Sequence, residues 1–166
     1  MVSVNTLVQA AEPWASLYSN HPVIQSAVVF AHLTGLMVGG GAAVAADRAA
    51  LRVRKASVDI RQAHLLQLRQ VHRTVLVALA VVVVSGILLF AADLETFIAS
   101  PLYWIKTGLV FLLGLNGWIL MRTGRRLETG QTSWQRGWSR LTATSIISLC
   151  LWVLTVLAGA LLVNLA

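Results

Sequence analysis

Residues 71–92 read VHRTVLVALAVVVVSGILLFAA. Between Arg73 and Asp93 the only polar side chains are Thr74 and Ser85. A helix of about 20 apolar residues, rising ~1.5 Å per residue, matches the hydrocarbon thickness of a bilayer. No soluble core asks for so long a stretch that is apolar on every face. Working outward, residues 23–46, 102–121 and 141–163 qualify in the same way. Four spans follow, and the expected fold is an all-α integral membrane four-helix bundle occupying residues 1–166 as a single membrane domain.

The segments between the runs assign an orientation. Twelve of the thirteen Lys and Arg residues fall between Arg48 and Arg73 or between Arg122 and Arg140. By the positive-inside rule both basic loops are cytoplasmic, so the expected topology is N-out and C-out in a bacterial cytoplasmic (inner) membrane. Only Asp47, Asp59 and Glu128 offset the twelve cations there, whereas Lys106 faces Glu12, Asp93 and Glu95 across the rest of the chain. That imbalance makes the lipid bilayer, and anionic inner-leaflet lipid in particular, the expected partner of the basic loops, with no nucleic acid. With 57% hydrophobic residues and a mean hydropathy of +0.76, the chain is too apolar for an ordinary soluble domain.

Residues 1–20 carry no basic n-region, and Glu12, Pro13 and Asn20 break their apolar pattern, so no cleavable signal peptide is expected. Leu7, Val8, Ala11, Trp14, Ala15 and Tyr18 recur at helical spacing and predict an interfacial amphipathic helix. Asn20 is the expected N-cap of the first span, with Pro22 at an early helical position. The spacing of Ile60, His64, Leu65, Leu68, Val71 and His72 extends the second helix below the membrane surface. Trp104 and Trp118 mark the two ends of the third span, and Trp134 and Trp138 are expected on the inner headgroups. Cys150 has no partner and reads as a small hydrophobe.

Polar groups inside the spans carry the functional signal, because each costs a few kcal/mol in lipid unless paired or used. His32 and Lys106 lie roughly 5 and 7 Å to the outer side of their span centres, counting ~1.5 Å per residue, and can share one level. Gly35 and Gly39 clear the helix face beside His32, leaving room for a flat macrocycle; the same glycines equally fit a close helix–helix contact. Lys106 has a second reading too, snorkelling outward to Asp93 or Glu95. His21 reads as a hydrated helix-start residue. His72, at the inner edge, falls roughly 20 Å from His32 if the helices stand upright, too far for one haem to join them, and is a weak ligand candidate. Asn116, Ser85, Ser145 and Ser148 are expected to make interhelical hydrogen bonds. There is no P-loop, Gly-x-Ser-x-Gly, His-Glu-x-x-His or nucleotide fingerprint.

His32 with Gly35, followed by Asp47-Arg48, resembles an uncharacterised family of small bacterial four-helix membrane proteins. The segments Gly86-Ile-Leu-Leu-Phe90, Pro101-Leu-Tyr-Trp-Ile-Lys106 and Leu113-Gly-Leu-Asn116 extend that resemblance to about Met121. More distantly, a first-helix histidine and a third-helix lysine look like those of small four-helix haem-containing protoporphyrinogen oxidases and b-type membrane cytochromes. The resemblance implies haem b, with His32 as an axial ligand to the haem iron and Lys106 as second ligand or propionate partner. Those oxidases usually carry a histidine near Asn116 to Trp118, which this chain lacks. The function expected is a b-type haem membrane protein in electron transfer, with quinone and a redox partner subunit, or a second copy of the chain, as its associates. The alternatives are a non-catalytic subunit or assembly factor of a larger complex, and a porphyrinogen oxidase; whether the chain is an enzyme stays open.

Overall fold

The structure, a computed structural model, describes residues 4–165 and is helical almost throughout. Six helices follow one another among these residues: α1 Val4–Asn20, α2 Pro22–Val53, α3 Val58–Ala92, α4 Leu94–Ala99, α5 Pro101–Glu128 and α6 Trp134–Leu165. Four of them, α2, α3, α5 and α6, are long and apolar enough to cross a membrane. That is the architecture of a multi-pass membrane protein. Bulky apolar side chains such as Phe30, Met37, Val84, Phe111 and Val153 point outward, as expected where lipid replaces water as the solvent.

The interior is correspondingly small and polar-rich. The buried face of α2 runs Val28, His32, Gly35, Gly39, Ala43, Asp47 and Ala50, a stripe at steps of three and four residues. On α6 the stripe is Trp138, Leu141, Ser145, Ser148, Trp152, Thr155, Ala158 and Leu162. Small side chains on these stripes allow the backbones to approach closely. α2 packs chiefly on α3 and also on α6, α6 packs on α5, and α3 and α5 meet least. The bundle is therefore closed on three sides, with a loosely packed seam between α3 and α5.

The long helices outrun the apolar segments. α3 begins at Val58, as the spacing of Ile60, His64, Leu65 and Leu68 predicts, and α2, α5 and α6 each continue several residues into the basic end. There the side chains build an apolar plug of Ala50, Leu65, Leu68, Leu120, Leu127, Trp138 and Leu141. Trp138 is a core residue of that plug and not a headgroup anchor. Trp134 packs against it, and the Arg61 guanidinium lies 5.5 Å from the Trp134 ring and 5.6 Å from the Trp138 ring. The apolar faces of the extended helix ends are buried against one another, which buries Trp138 and partly covers Trp134.

The connections are short. Gly130, at φ 67°, ends α5 in the left-handed conformation that costs glycine little, and the N–H groups of Gly130 and Gln131 donate to the carbonyls of Leu127 and Arg126. Pro22 and Pro101 open α2 and α5, where a missing N–H costs nothing. The N-cap of α2 is His21 rather than Asn20; the Asn20 amide instead donates to the Ser16 carbonyl within α1. The connection between α3 and α5 contains α4. α1 forms as a helix and lies against α3 and α2, where Trp14 Nε1 donates to the Leu88 carbonyl at 2.8 Å.

Candidate functional site

Buried polar groups gather at two levels. The first is centred on His32, 8% exposed. Its Nδ1 lies 2.9 Å from Ser85 Oγ on α3, and Ser85 Oγ–H points back to its own helix, 2.6 Å from the Val81 carbonyl. With the single hydroxyl proton given to Val81, the ring must donate from Nδ1. The tautomer assigned by this network therefore leaves the lone pair on Nε2. Nε2 is buried and makes no hydrogen bond. The Ser85 hydroxyl thus fixes the orientation of the imidazole, as a hydrogen bond to the other ring nitrogen does in ligating or proton-accepting histidines.

Lys106 reaches the same level from α5. It is near enough to His32 to act on it electrostatically, and its Nζ lies beside Gly159 of α6, 3.5 Å from where a Cβ would stand. No carboxylate pairs with it among the described residues, so the anticipated contact with Asp93 or Glu95 is not made. His32 and Lys106 are brought together; the glycines are occupied otherwise. A Cβ on Gly35 would sit 2.8 Å from Val82 Cγ2 and 3.1 Å from the Ala78 carbonyl oxygen, and one on Gly39 would sit 2.9 Å from the Ala78 Cβ. The face they clear is filled by α3. Gly86, from the α3 side, gives the His32 ring its own clearance: a Cβ there would stand 3.4 Å from His32 Cε1.

The second level lies nearer the basic end. The His32–Ser85 contact sets the register of α2 against antiparallel α3. From it, Asp47 is about 22 Å along α2 and His72 about 20 Å along α3, at ~1.5 Å per residue. Asp47, His72, Asn116 and Ser148 line one cavity of about 50 Å³ among the four long helices. Asp47 is 3% exposed, with Ser148 and Ser145 as its polar neighbours; Ser145 Oγ makes no close hydrogen bond. His72 Nε2 is buried and unpartnered, and its Cε1 lies close to Gly117 of α5. Asn116 Nδ2 donates to the Thr144 carbonyl at 3.0 Å and so joins α5 to α6.

An apolar layer separates the two levels: Ala43, Leu113 and Trp152, backed by Leu36, Val75 and Leu151. On each helix these residues fall between the two polar groups. His64 stands apart in the plug, edge-on to Trp138 at 6.4 Å between ring centres, its Nε2 also without a partner. His21 is exposed, its Nδ1 3.0 Å from the Leu17 carbonyl. Asp47 is the functional candidate that sequence reading passed over, because its neighbour Arg48 placed it among the loop charges. The signal that marks it is the four-residue ladder Gly35, Gly39, Ala43, Asp47, which puts the carboxyl on the inward face.

No protein-family model, curated protein or solved structure matches this chain.

Proposed function

We propose that this chain acts in membrane electron transfer, as an integral membrane subunit whose functional side chain is His32. The observation that supports the reading is the bare Nε2 of a buried imidazole whose other nitrogen is held by Ser85. A histidine serving only to join α2 to α3 needs one hydrogen bond; an orphan nitrogen in a membrane interior costs free energy unless it binds something. Lys106 adds a cation at the same level, suited to an anionic group such as a propionate. A quinone is the lipid-soluble electron partner this reading expects.

Haem b at His32 is the specific form implied by the resemblances, and it would supply one-electron chemistry. The donor atom fits. Gly35 and Gly39 lie against α3, and the groove of about 400 Å³ that opens beside Gly35, between Val38, Arg73, Val77 and Val81, is not lined by His32. Haem on His32 would need that groove to extend to Nε2, by a shift of α3 or by a second copy of the chain.

The deciding experiment is a visible spectrum of purified protein, oxidised and dithionite-reduced, with a pyridine haemochrome assay and a His32→Ala variant. A b-type signal lost in the variant establishes His32 as the ligand. Colourless, folded protein from cells supplied with haem overturns the haem form. The alternative is then a non-catalytic subunit or assembly factor, favoured by the way Gly35, Gly39 and Ser85 are all engaged in joining α2 to α3. Porphyrinogen oxidation is tested by turnover: undiminished activity in both His32→Ala and Lys106→Ala removes it.

A further inference from the structure

The second polar level has no part in the His32 reading, and its chemistry points elsewhere. Of the six carboxyl side chains in the chain, Glu12, Asp59, Asp93, Glu95 and Glu128 are exposed, and Asp47 alone is buried. It sits between apolar layers, at the Ala43–Leu113–Trp152 cluster on one side and the Leu68–Leu120–Leu141 plug on the other. A carboxylate there without a compensating positive charge is costly by several kcal/mol. Ser145 and Ser148 offer hydroxyls but no charge. An asparagine would satisfy the same hydroxyls at no such cost, so the ionisable group is the informative choice.

The cavity beside Asp47 is large enough for a few waters, and in a mostly apolar lining Asp47, His72, Asn116 and Ser148 supply the polar partners that water needs. His72 lines it, and its Nε2 is buried without a partner. Three walls are tight, and the fourth is the α3–α5 seam, where Gly114 has open space beside it. The charged and titratable groups facing this site are Asp47 from α2, His72 from α3, and Arg125 of α5, which acts on His72 from the basic end; α6 contributes Ser145, Ser148 and Trp152 and no titratable group.

We infer that this cavity is a hydrated proton-binding site, in which Asp47 and His72 exchange a proton through enclosed water and reach the exterior along the α3–α5 seam. No bond other than O–H and N–H is made or broken: the proton leaving the Asp47 carboxyl is taken by water and then by His72 Nε2, and the reverse. The site stands whether or not His32 holds a redox group, because about 20 Å and an apolar layer separate them.

Infrared difference spectroscopy on the full chain in lipid bilayers tests it. A protonated-carboxyl C=O band is expected that shifts on transfer to D2O, is lost in Asp47→Asn, and titrates with a midpoint that moves by about one pH unit in His72→Gln, as coupled sites do. Should Asp47→Asn fail to fold, Asp47→Glu must shift the band and its midpoint while the five exposed carboxyls are unchanged. Absence of an Asp47-dependent band at every pH overturns the proposal. So does a midpoint indifferent to His72→Gln. A carboxylate band that responds to sodium instead of pH identifies a cation site and equally overturns it.

Discussion

At the residue scale the informative atom is His32 Nε2. A membrane histidine is noticeable in any sequence, but which nitrogen is free depends on Ser85, fifty-three positions away, and on the Val81 carbonyl that takes the serine proton. Removing the hydroxyl frees the ring. Ser85→Ala is expected to lower stability by about 1–3 kcal/mol, because Nδ1–H loses its buried acceptor; unfolding in detergent at graded denaturant measures it. Replacing His32 as well should add little to that loss, since the pair acts as one unit. Asp47 teaches the converse. Its charge and its neighbour Arg48 make it look like a loop residue, and only its place on the inward ladder of α2 shows that it is buried.

At the element scale the question is what the glycines are for. Spacing alone permits a cofactor face or a helix contact at Gly35 and Gly39, since both demand the absence of a side chain. The structure places Val82 and Ala78 there. Gly35→Leu should therefore push α3 from α2 and destabilise the bundle by about 1–3 kcal/mol or more, through overpacking. Gly41, with open space around its Cβ position, is the control: Gly41→Ala should stay within about 0.5 kcal/mol of the parent. Thermal unfolding of the three proteins, side by side, separates these outcomes. Element ends were less legible than element existence. Apolar runs stop short of the helix ends, whereas a helix continues for as long as its backbone bonds are satisfied and one face can be buried, as α5 does to Glu128 and α6 from Trp134.

At the scale of the whole molecule, packing and orientation have different sources. Trp138 anchors the basic-end plug, so Trp138→Ala should cost about 3–5 kcal/mol, far more than an interfacial indole would, and a detergent unfolding series reads the difference. Orientation rests on charge: with Cys150→Ser as background, a membrane-impermeant thiol reagent added outside intact cells should label Glu95→Cys and spare Ser57→Cys. The reverse pattern would invert the topology. By itself the sequence determined that this chain has four membrane-length helices and that His32 and Lys106 lie within them, because those properties follow from hydropathy and charge along one strand of chain. Only the tertiary structure decided which helices meet, that α3 covers the glycine face, that Trp138 is core, and that Asp47, His72, Asn116 and Ser148 share a cavity. Those contacts join residues from different helices, and the register between helices is set by side-chain packing across them, which no single helix records.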